Sequence, residues 1–169
     1  MLSEKMEKAL NGHMNAEFYS AYLYLSMSAY FNSVDLPGFA HWMKVQFDEE
    51  MLHGMKLFNF IDKMGGSIKI QNIEAPPAGW QSPLSVFEDT CAHERLVSTK
   101  INKLVSLAIE EHDHASNNFL QWFVAEQVEE EASVQAILKK LRLISDYAGG
   151  ILILDQELGS RKEVVTYAE

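Results

Sequence analysis

Apolar residues recur every three or four positions along most of the chain, and strand-like alternation is absent over any useful length. This spacing places the apolar side chains on one face of a helix. It predicts four long helices and one short helix, at residues 3–33, 36–64, 83–112, 116–146 and 152–159. The pattern therefore indicates an all-α protein.

The segments between the predicted helices differ in length. Only a few residues join the first helix to the second and the third to the fourth, whereas a long segment with Gly65-Gly66, Pro76-Pro77 and Ser82-Pro83 separates the second from the third. Short links join antiparallel neighbours, and one long link has to cross the bundle. We therefore predict an up-down four-helix bundle with one long crossover and a short C-terminal fifth helix. The chain length suits a single domain over residues 1–169.

Each long helix carries an acidic residue in the middle of its apolar stripe. These residues are Glu17, Glu50, Glu94 and Glu130. Taken singly, each could equally be a rim residue whose carboxylate reaches water. Four buried carboxylates at matching heights would have raised pKa values and need a compensating charge, which no inward lysine or arginine supplies. Two divalent cations would balance the four negative charges, so the pattern predicts a dinuclear metal site.

The ligand types narrow the choice of metal. Oxygen-rich ligands with one imidazole and no thiolate suit a hard to borderline ion that can change valence, and iron is the first choice. Glu50 and His53 are three residues apart, so they project from one helix face and can share a cation. Gln127 and Glu130 occupy the place of a second Glu-x-x-His unit. The two metal positions should therefore differ, and the position without the histidine should be weaker.

Composition excludes several other function classes. The chain has 14 Lys+Arg against 24 Asp+Glu, a net charge of −10, which disfavours nucleic-acid and anionic-membrane partners. The uncharged stretch 18–34 contains too many polar residues for a membrane span and is expected to be a buried helix. The single cysteine, Cys91, allows no intrachain disulfide, and no signal peptide is visible. These features predict a cytoplasmic protein.

Other polar residues allow two interpretations. An acidic group flanks the predicted ligands and is either a solvated charged face or a third, looser metal position; it comprises Glu49, Glu126 and Glu129. Glu131 is expected to be an ordinary surface residue. The remaining histidines are expected at the surface or at helix edges rather than as ligands; they are His13, His41, His93, His112 and His114.

Four segments resemble the prokaryotic non-haem ferritins, and the resemblance covers essentially the whole chain. They are residues 17–24, 49–53, 93–94 and 118–130, the last reading Asn-Phe-Leu-Gln-Trp-Phe-Val-Ala-Glu-Gln-Val-Glu-Glu. The resemblance implies a single ferritin-like domain that assembles into a shell of 24 subunits. It further implies iron storage, in which the protein oxidises Fe(II) with dioxygen or peroxide and keeps the Fe(III) mineral in the cavity.

The same resemblance implies roles for individual residues. The first iron position would use Glu17, Glu50 and His53. The second would use Glu50, Glu94 and Glu130, with Glu50 bridging the two ions. Near the second position the resemblance places Gln127, and beside the centre it places Tyr24. A third position would be formed by Glu49, Glu126, Glu129 and Glu130.

The first helix carries a second apolar stripe, which consists of Phe18, Tyr22, Leu25 and Ala29. A helix that is apolar nearly all round needs a second surface to cover it. A neighbouring copy of the chain would provide that surface in a homo-oligomer. The long crossover is the alternative cover, and the two are compatible.

Two other di-iron functions and one non-catalytic interpretation stay open. Met51 could supply an axial sulfur ligand to a haem, as in a bacterioferritin. No haem is expected, however, because the fourth helix lacks a second Glu-x-x-His unit. A non-storage di-iron oxidase or peroxidase is the second alternative, although Cys91 alone excludes a Cys-x-x-Cys electron-transfer module. A structural bundle whose acidic core was misread would bind no iron.

Overall fold

The computed structural model of the chain describes residues 2–144 and 147–163. This part contains five helices and no β-strand, which confirms the predicted all-α bundle. The helices are α1 (Glu4–Ser33), α2 (Pro37–Lys63), α3 (Pro83–Glu110), α4 (His114–Ile144) and α5 (Ala148–Leu158). The main pairs are α1 with α2 and α3 with α4, and the long crossover connects the two pairs.

The helix boundaries differ from the predictions at two places. The link between α3 and α4 is displaced because His112 has a positive φ of 54° and Asp113 caps the next helix by accepting the backbone N–H of Ser116 at 3.0 Å. α5 begins at Ala148 instead of residue 152, and Gly149-Gly150 lies in its first turn rather than in a linker. Glycine is a weak helix former, so the sequence pattern underestimates this helix. Residues 145–146, where the fourth helix was predicted to end, lie outside the described residues.

Two asparagines of α1 fasten the crossover to the bundle. Asn11 binds the backbone of Ser67 and Lys69 at 2.9 and 2.7 Å, and Asn15 binds Lys69 and Gln71 at 2.9 and 2.8 Å. Four residues of helix rise about 6 Å, and two residues of extended chain span about 6.6 Å. The two asparagines therefore match alternate residues of the crossover, which satisfies its backbone without a β-strand partner.

α5 docks against the start of α2. A Cβ atom on Gly38 would lie 1.7 Å from the backbone oxygen of Asp155, so only glycine allows this approach. The Asp155 carboxylate accepts the backbone N–H of Phe39 at 2.9 Å and thereby satisfies one of the free donors of the α2 N-terminus. Leu154 and Leu158 are buried beneath α5. The short helix thus closes one end of the bundle.

The apolar core of the bundle forms two separate halves. α1 contributes buried residues between Leu23 and Phe31 to one half, and buried residues between Met6 and Met14 to the other. The other three long helices contribute to the same two halves. Buried polar residues fill the layer between them, among them Glu17. The bundle therefore positions its acidic side chains at mid-height, with packed apolar side chains above and below.

The second apolar stripe of α1 is only partly covered within one chain. Phe18 packs against Gly54 of α2, but the side chains of Tyr22 and Leu25 are 51% and 39% exposed. Ala29 is also exposed. The crossover does not bury these residues. Exposed apolar side chains grouped on one helix face favour burial against a neighbouring copy. None of the described helices is both long and apolar enough to cross a membrane.

We predict that the chain sediments as an assembly of many subunits. The double substitution Tyr22→Glu and Leu25→Glu should shift the protein toward small species, because it places charges where an interface would exclude water. Analytical ultracentrifugation at micromolar concentration measures this. Ser106→Glu, at an exposed position of α3, is the control and should keep the assembly. A stable monomer or dimer of the unaltered 19.2 kDa chain would contradict the prediction.

Candidate metal centre

All four long helices contribute to the polar layer between the two halves of the core. α1 supplies His13, Glu17 and Tyr24, α2 supplies Glu50 and His53, α3 supplies Glu94, and α4 supplies Gln127 and Glu130. Glu130 is the least buried of these residues, and its side chain is still only 10% exposed. Each helix reaches the layer through the apolar stripe that packs it into the bundle. The packing of the core therefore determines how the carboxylates meet.

Two sets of potential ligands lie close enough to hold a metal ion. Glu17, Glu50 and His53 form one set, and Glu50, Glu94 and Glu130 form the other, with the ligand atoms of each set within 4.8 Å of one another. Glu50 belongs to both sets. This is the arrangement that the sequence resemblance implies for two iron positions with a bridging carboxylate. Binding of iron by these residues stays a prediction.

The position of His53 is well determined by its neighbours. Its Nδ1 atom lies 3.4 Å from the Glu50 carboxylate and 3.9 Å from that of Glu130. The rings of Trp122 and Phe123 pack edge-on against the imidazole, with centroid distances of 5.3 and 6.0 Å. Burial lowers the pKa of His53 and outweighs the nearby glutamates. The ring is therefore neutral near pH 7, which is the form that binds a metal.

Tyr24 and Gln127 hold the Glu94 side chain from both sides. The Tyr24 hydroxyl donates to Oε1 of Glu94, and the Gln127 amide donates to Oε2 at 2.5 Å and to the backbone oxygen of Glu94 at 3.2 Å. Both residues were predicted to lie beside a metal centre; the structure shows them against Glu94, and their role at a centre stays a prediction. Their hydrogen bonds fix the carboxylate before any ion arrives, which reduces the cost of ordering it on binding.

His13 is the component of the site that the sequence analysis assigned wrongly. It was expected at the surface or a helix edge, but it is only 4% exposed, and its Nε2 atom lies 2.8 Å from Oε1 of Glu17. Residues four apart on a helix lie on the same face. The spacing between His13 and Glu17 was therefore a signal in the sequence that could have identified this contact.

The unpartnered polar atoms of the site form a continuous group. Both carboxylate oxygens of Glu17 and of Glu50, and both ring nitrogens of His13, are buried without an aligned hydrogen bond. Among the described residues, the Gln46 amide is the other side chain with such an atom. Buried polar atoms without partners are rare because each costs free energy. This concentration of buried, unpartnered atoms is therefore what a cation site requires.

The pKa values of three glutamates follow the expectation for buried carboxylates. Burial, reinforced by the charges of Glu17 and Glu130, raises the pKa of Glu50 well above its ordinary value. Burial also raises the pKa of Glu130 well above its usual range, with Glu94 as the main contributing charge. For Glu94, burial outweighs the hydrogen bonds from Tyr24 and Gln127 and raises the pKa to about 7.

Glu17 does not follow this expectation. Burial opposes its ionisation, but the close approach of the His13 imidazole, together with smaller contributions from Glu50 and His53, lowers its pKa to about 2. The expectation of a raised pKa for all four carboxylates is therefore wrong for this one, in which other groups outweigh burial. The physical reason is the neighbouring imidazole, which the sequence analysis did not place in the core.

The acidic flank on α2 and α4 is not gathered into a comparable ligand set within the described residues. Glu49 and Glu126 are partly exposed, and Glu129 is exposed. An Nη2 atom of Arg161 lies 2.6 Å from Oε2 of Glu49. Glu131 is more buried than expected and accepts a hydrogen bond from Ser98. The third metal position therefore stays a prediction.

Arg161 comes from the segment after α5 and makes several contacts with α2. Its guanidinium carbon lies 4.5 Å from the centroid of the Trp42 ring, and its Nη1 donates to the Trp42 backbone oxygen at 3.3 Å. Its own backbone oxygen pairs with the His41 ring at 2.8 Å. Sequence reasoning missed this arginine because it is far from Glu49 along the chain. Only the docking of α5 brings the two together.

Comparisons with known proteins give a consistent result. The family model described as a ferritin-like domain matches residues 7–144. The chain is 47% identical over 161 residues to a bacterial non-heme ferritin of Bacteroides fragilis, which covers 95% of this chain and 100% of that protein. It is 43% identical over 160 residues to a probable bacterial non-heme ferritin-like protein of Haemophilus influenzae, covering 95% and 97%. A solved open-pore ferritin from Archaeoglobus fulgidus is 52% identical with a TM-score of 0.95, covering 96% of this chain and 100% of that one.

We predict that the stability of the metal-free protein falls as the pH rises from about 5 to 8. Glu94 has a folded pKa of about 7 against an ordinary value of 4.5, so the folded state holds a proton that the unfolded state has lost in this range. Its stabilising effect is complete below the ordinary pKa and is lost as the pH rises through the folded value. The contribution is on the order of a few kcal/mol.

Thermal unfolding at a series of pH values measures this effect. Glu94→Gln should make the fall in stability with pH less steep. Burial lowers the pKa of His93 to about 4, which has the opposite effect on stability. Because His93 is present in both proteins, its effect cancels when the two are compared. Glu88→Gln, an exposed change on the same helix, should keep the original slope. Equal slopes in the unaltered protein and Glu94→Gln would show that this carboxyl is not the group responsible.

Proposed function

Because this chain belongs to the ferritin family, we propose that it stores iron by oxidising Fe(II) with dioxygen and enclosing the Fe(III) product in a shell of its own copies. The observation that carries the proposal is the pair of ligand sets that share Glu50. Two adjacent cation positions at the centre of a closed bundle suit a reaction that needs two metal ions at once.

Fe(II) is the substrate that the ligand sets would bind first. Two Fe(II) ions bring four positive charges to the four glutamates of the layer, which removes the charge imbalance at the centre. Fe(II) at the first position would be held by Glu17, Glu50 and His53, and at the second by Glu50, Glu94 and Glu130. The first set includes a neutral imidazole, whereas the second consists of carboxylates. We therefore expect the first position to be the tighter one.

Oxidation follows from the same ligand chemistry. Carboxylate oxygens favour Fe(III) over Fe(II), so a glutamate-rich site makes electron loss by iron more favourable. Two adjacent Fe(II) ions each give one electron to a single dioxygen, which with two protons yields hydrogen peroxide and two Fe(III) ions. The Glu50 carboxylate shared by both sets keeps the ions close enough to react as a pair. The product must then leave, and a weaker second position favours its release.

Storage requires a container in addition to a reactive centre. The exposed apolar side chains of Tyr22 and Leu25 support association between copies. The proposal includes a shell of 24 subunits in the cytoplasm, with the mineral inside it. In a purely structural bundle of the same shape, four glutamates buried between two apolar halves of the core would only lower the stability of the fold.

We propose that the acidic flank is a transit position for iron moving to or from the centre. Glu49, Glu126 and Glu129 would form it together with Glu130. The contact between Arg161 and Glu49 affects metal binding at this position, because the guanidinium already neutralises one of its carboxylates. An arriving ion would have to displace Arg161 from Glu49. Such competition would keep the third position weaker than the other two.

We predict that Glu94→Ala removes rapid oxidation while leaving the first position occupied. Glu94 belongs only to the second ligand set, and the reaction needs two electrons from adjacent irons. The rate of the first oxidation phase should fall about tenfold or more. Anaerobic Fe(II) titration followed by oxygen addition measures bound iron per subunit, oxidation rate and mineral capacity in one experiment.

The matched control is Glu88→Ala on the same helix. Glu88 is half-exposed and pairs with Arg142 at 3.2 Å, away from the ligand sets. This variant should oxidise iron like the unaltered protein. Unchanged oxidation kinetics in Glu94→Ala would remove Glu94 from the proposed centre, and absence of rapid oxidation in the unaltered protein would overturn the function itself.

The double substitution Glu49→Gln and Glu126→Gln tests the transit position. It leaves the five residues of the two ligand sets untouched, so the first rapid oxidation of two irons per subunit should stay nearly intact. Later additions of Fe(II) should be processed more slowly, because the attraction for a nearby cation is reduced. Stopped-flow oxidation over successive additions checks this.

The control is the double substitution Glu88→Gln and Glu110→Gln on α3, which removes the same number of carboxylates away from the ligand sets. Both residues are exposed and belong to neither ligand set. This variant should process every addition as the unaltered protein does. If the Glu49 and Glu126 variant also keeps the original rate and stoichiometry, the flank is only a solvated charged face.

A further inference from the structure

His13 stands where the acidic layer meets one half of the apolar core. Its neighbours on α1, Leu10 and Met14, are fully buried in that half, and Glu17 lies one turn further along the helix. The ring of Phe123 packs edge-on against the His13 ring at 6.2 Å and also against that of His53. The imidazole is thus confined to a place beside the first ligand set.

The contact with Glu17 explains why a histidine is tolerated there. A buried carboxylate needs hydrogen-bond donors or positive charge around it. Nε2 of His13 approaches Oε1 of Glu17 to 2.8 Å, although the ring is not turned into full hydrogen-bond alignment. Among the described residues, no side chain provides either oxygen of Glu17 with an aligned hydrogen bond. The imidazole, at this distance, is close enough to restrain the carboxylate.

Direct binding of the metal by His13 fits the geometry less well. Within the described residues, His13 belongs to no set of three ligand atoms lying within 4.8 Å of one another. Its close contact with the first set is with Glu17, at 2.8 Å. Side chains that bind metal are commonly oriented by a second group that does not bind it, and ligating carboxylates are themselves hydrogen-bonded.

We propose that His13 is a positioning residue for the first iron position. Its imidazole engages Oε1 of Glu17 and leaves Oε2 to bind the ion, so that Glu17 binds through one oxygen in a fixed orientation. Without this restraint the carboxylate could rotate or bind through both oxygens. His13 thus affects the affinity and the coordination geometry of an ion that it does not touch.

The inference rests on the proposed iron centre, so its experiment uses metal binding rather than oxidation. Co(II) is added anaerobically to the metal-free assembly of the unaltered protein, and its visible absorption reports both affinity and coordination geometry. His13→Leu removes the ring nitrogens at similar size, and His13→Gln keeps a side chain able to hydrogen-bond Glu17. Thermal unfolding of each variant establishes that it is folded.

Three results together support the positioning role. His13→Leu should bind Co(II) at the first position about 10–100-fold more weakly, with an altered absorption spectrum. The number of bound ions at saturation should stay at two per subunit. His13→Gln should recover most of the affinity and the original spectrum. Gly12→Ala, where an added Cβ meets no atom within 4 Å, is the neighbouring control and should behave as unaltered.

Other results overturn the inference in distinguishable ways. Original affinity and spectrum in His13→Leu would show that the ring has no influence on the ion. Failure of His13→Gln to recover above His13→Leu would identify His13 as a ligand instead. If the unaltered protein bound no Co(II), the proposed function would fail as well, and the inference would fall with it.

Discussion

The burial of four glutamates at the middle of a helical bundle is the constraint on which the rest of this structure depends. It divides the apolar core into two halves and requires some compensation for each carboxylate. Glu94 has hydrogen bonds from Tyr24 and Gln127, and Glu17 has the imidazole of His13. Glu50 has no aligned partner for either oxygen, although it belongs to both ligand sets. The least compensated group is therefore the one that two cations would share.

The two ligand sets are chemically unequal, and the inequality has a structural origin. α2 contributes both a carboxylate and an imidazole to the first set, while α4 contributes Glu130 and the amide of Gln127 near the second. Glu17 is ionised at low pH, whereas Glu94 holds its proton until about neutral pH. An ion entering the first position therefore meets a charge already present. Both positions share Glu50, which would have to lose its proton to either ion, but an ion at the second would also have to displace the proton of Glu94. The second position should therefore depend more on pH.

Segments outside the four long helices also influence the centre. The crossover is fastened to α1 by Asn11 and Asn15, next to the turn that carries His13 and Glu17. The segment after α5 brings Arg161 to Glu49. Both contacts join residues that are more than 50 positions apart. These contacts hold the crossover and the segment after α5 against the two helices, α1 and α2, that carry the first candidate ligand set.

The sequence by itself determined the helices, their order and the depth at which the acidic residues lie. Helical periodicity repeats along each stripe, so a glutamate in mid-stripe such as Glu17 or Glu94 is recognisable without coordinates. Glycines weakened the same signal at the start of α5, where Gly149 and Gly150 are helical although glycine is a weak helix former.

Only the tertiary structure decided what surrounds each carboxylate. The i,i+4 spacing places His13 on the same helix face as Glu17, but only the packing of α1 against Phe123 shows that the ring is buried. Nothing in the local pattern relates Arg161 to Glu49. Electrostatic environment depends on groups that are close in space but distant along the chain. This is why the buried acidic residues could be picked out as candidate ligands, whereas the opposite pKa shifts of Glu17 and Glu94 could not be predicted.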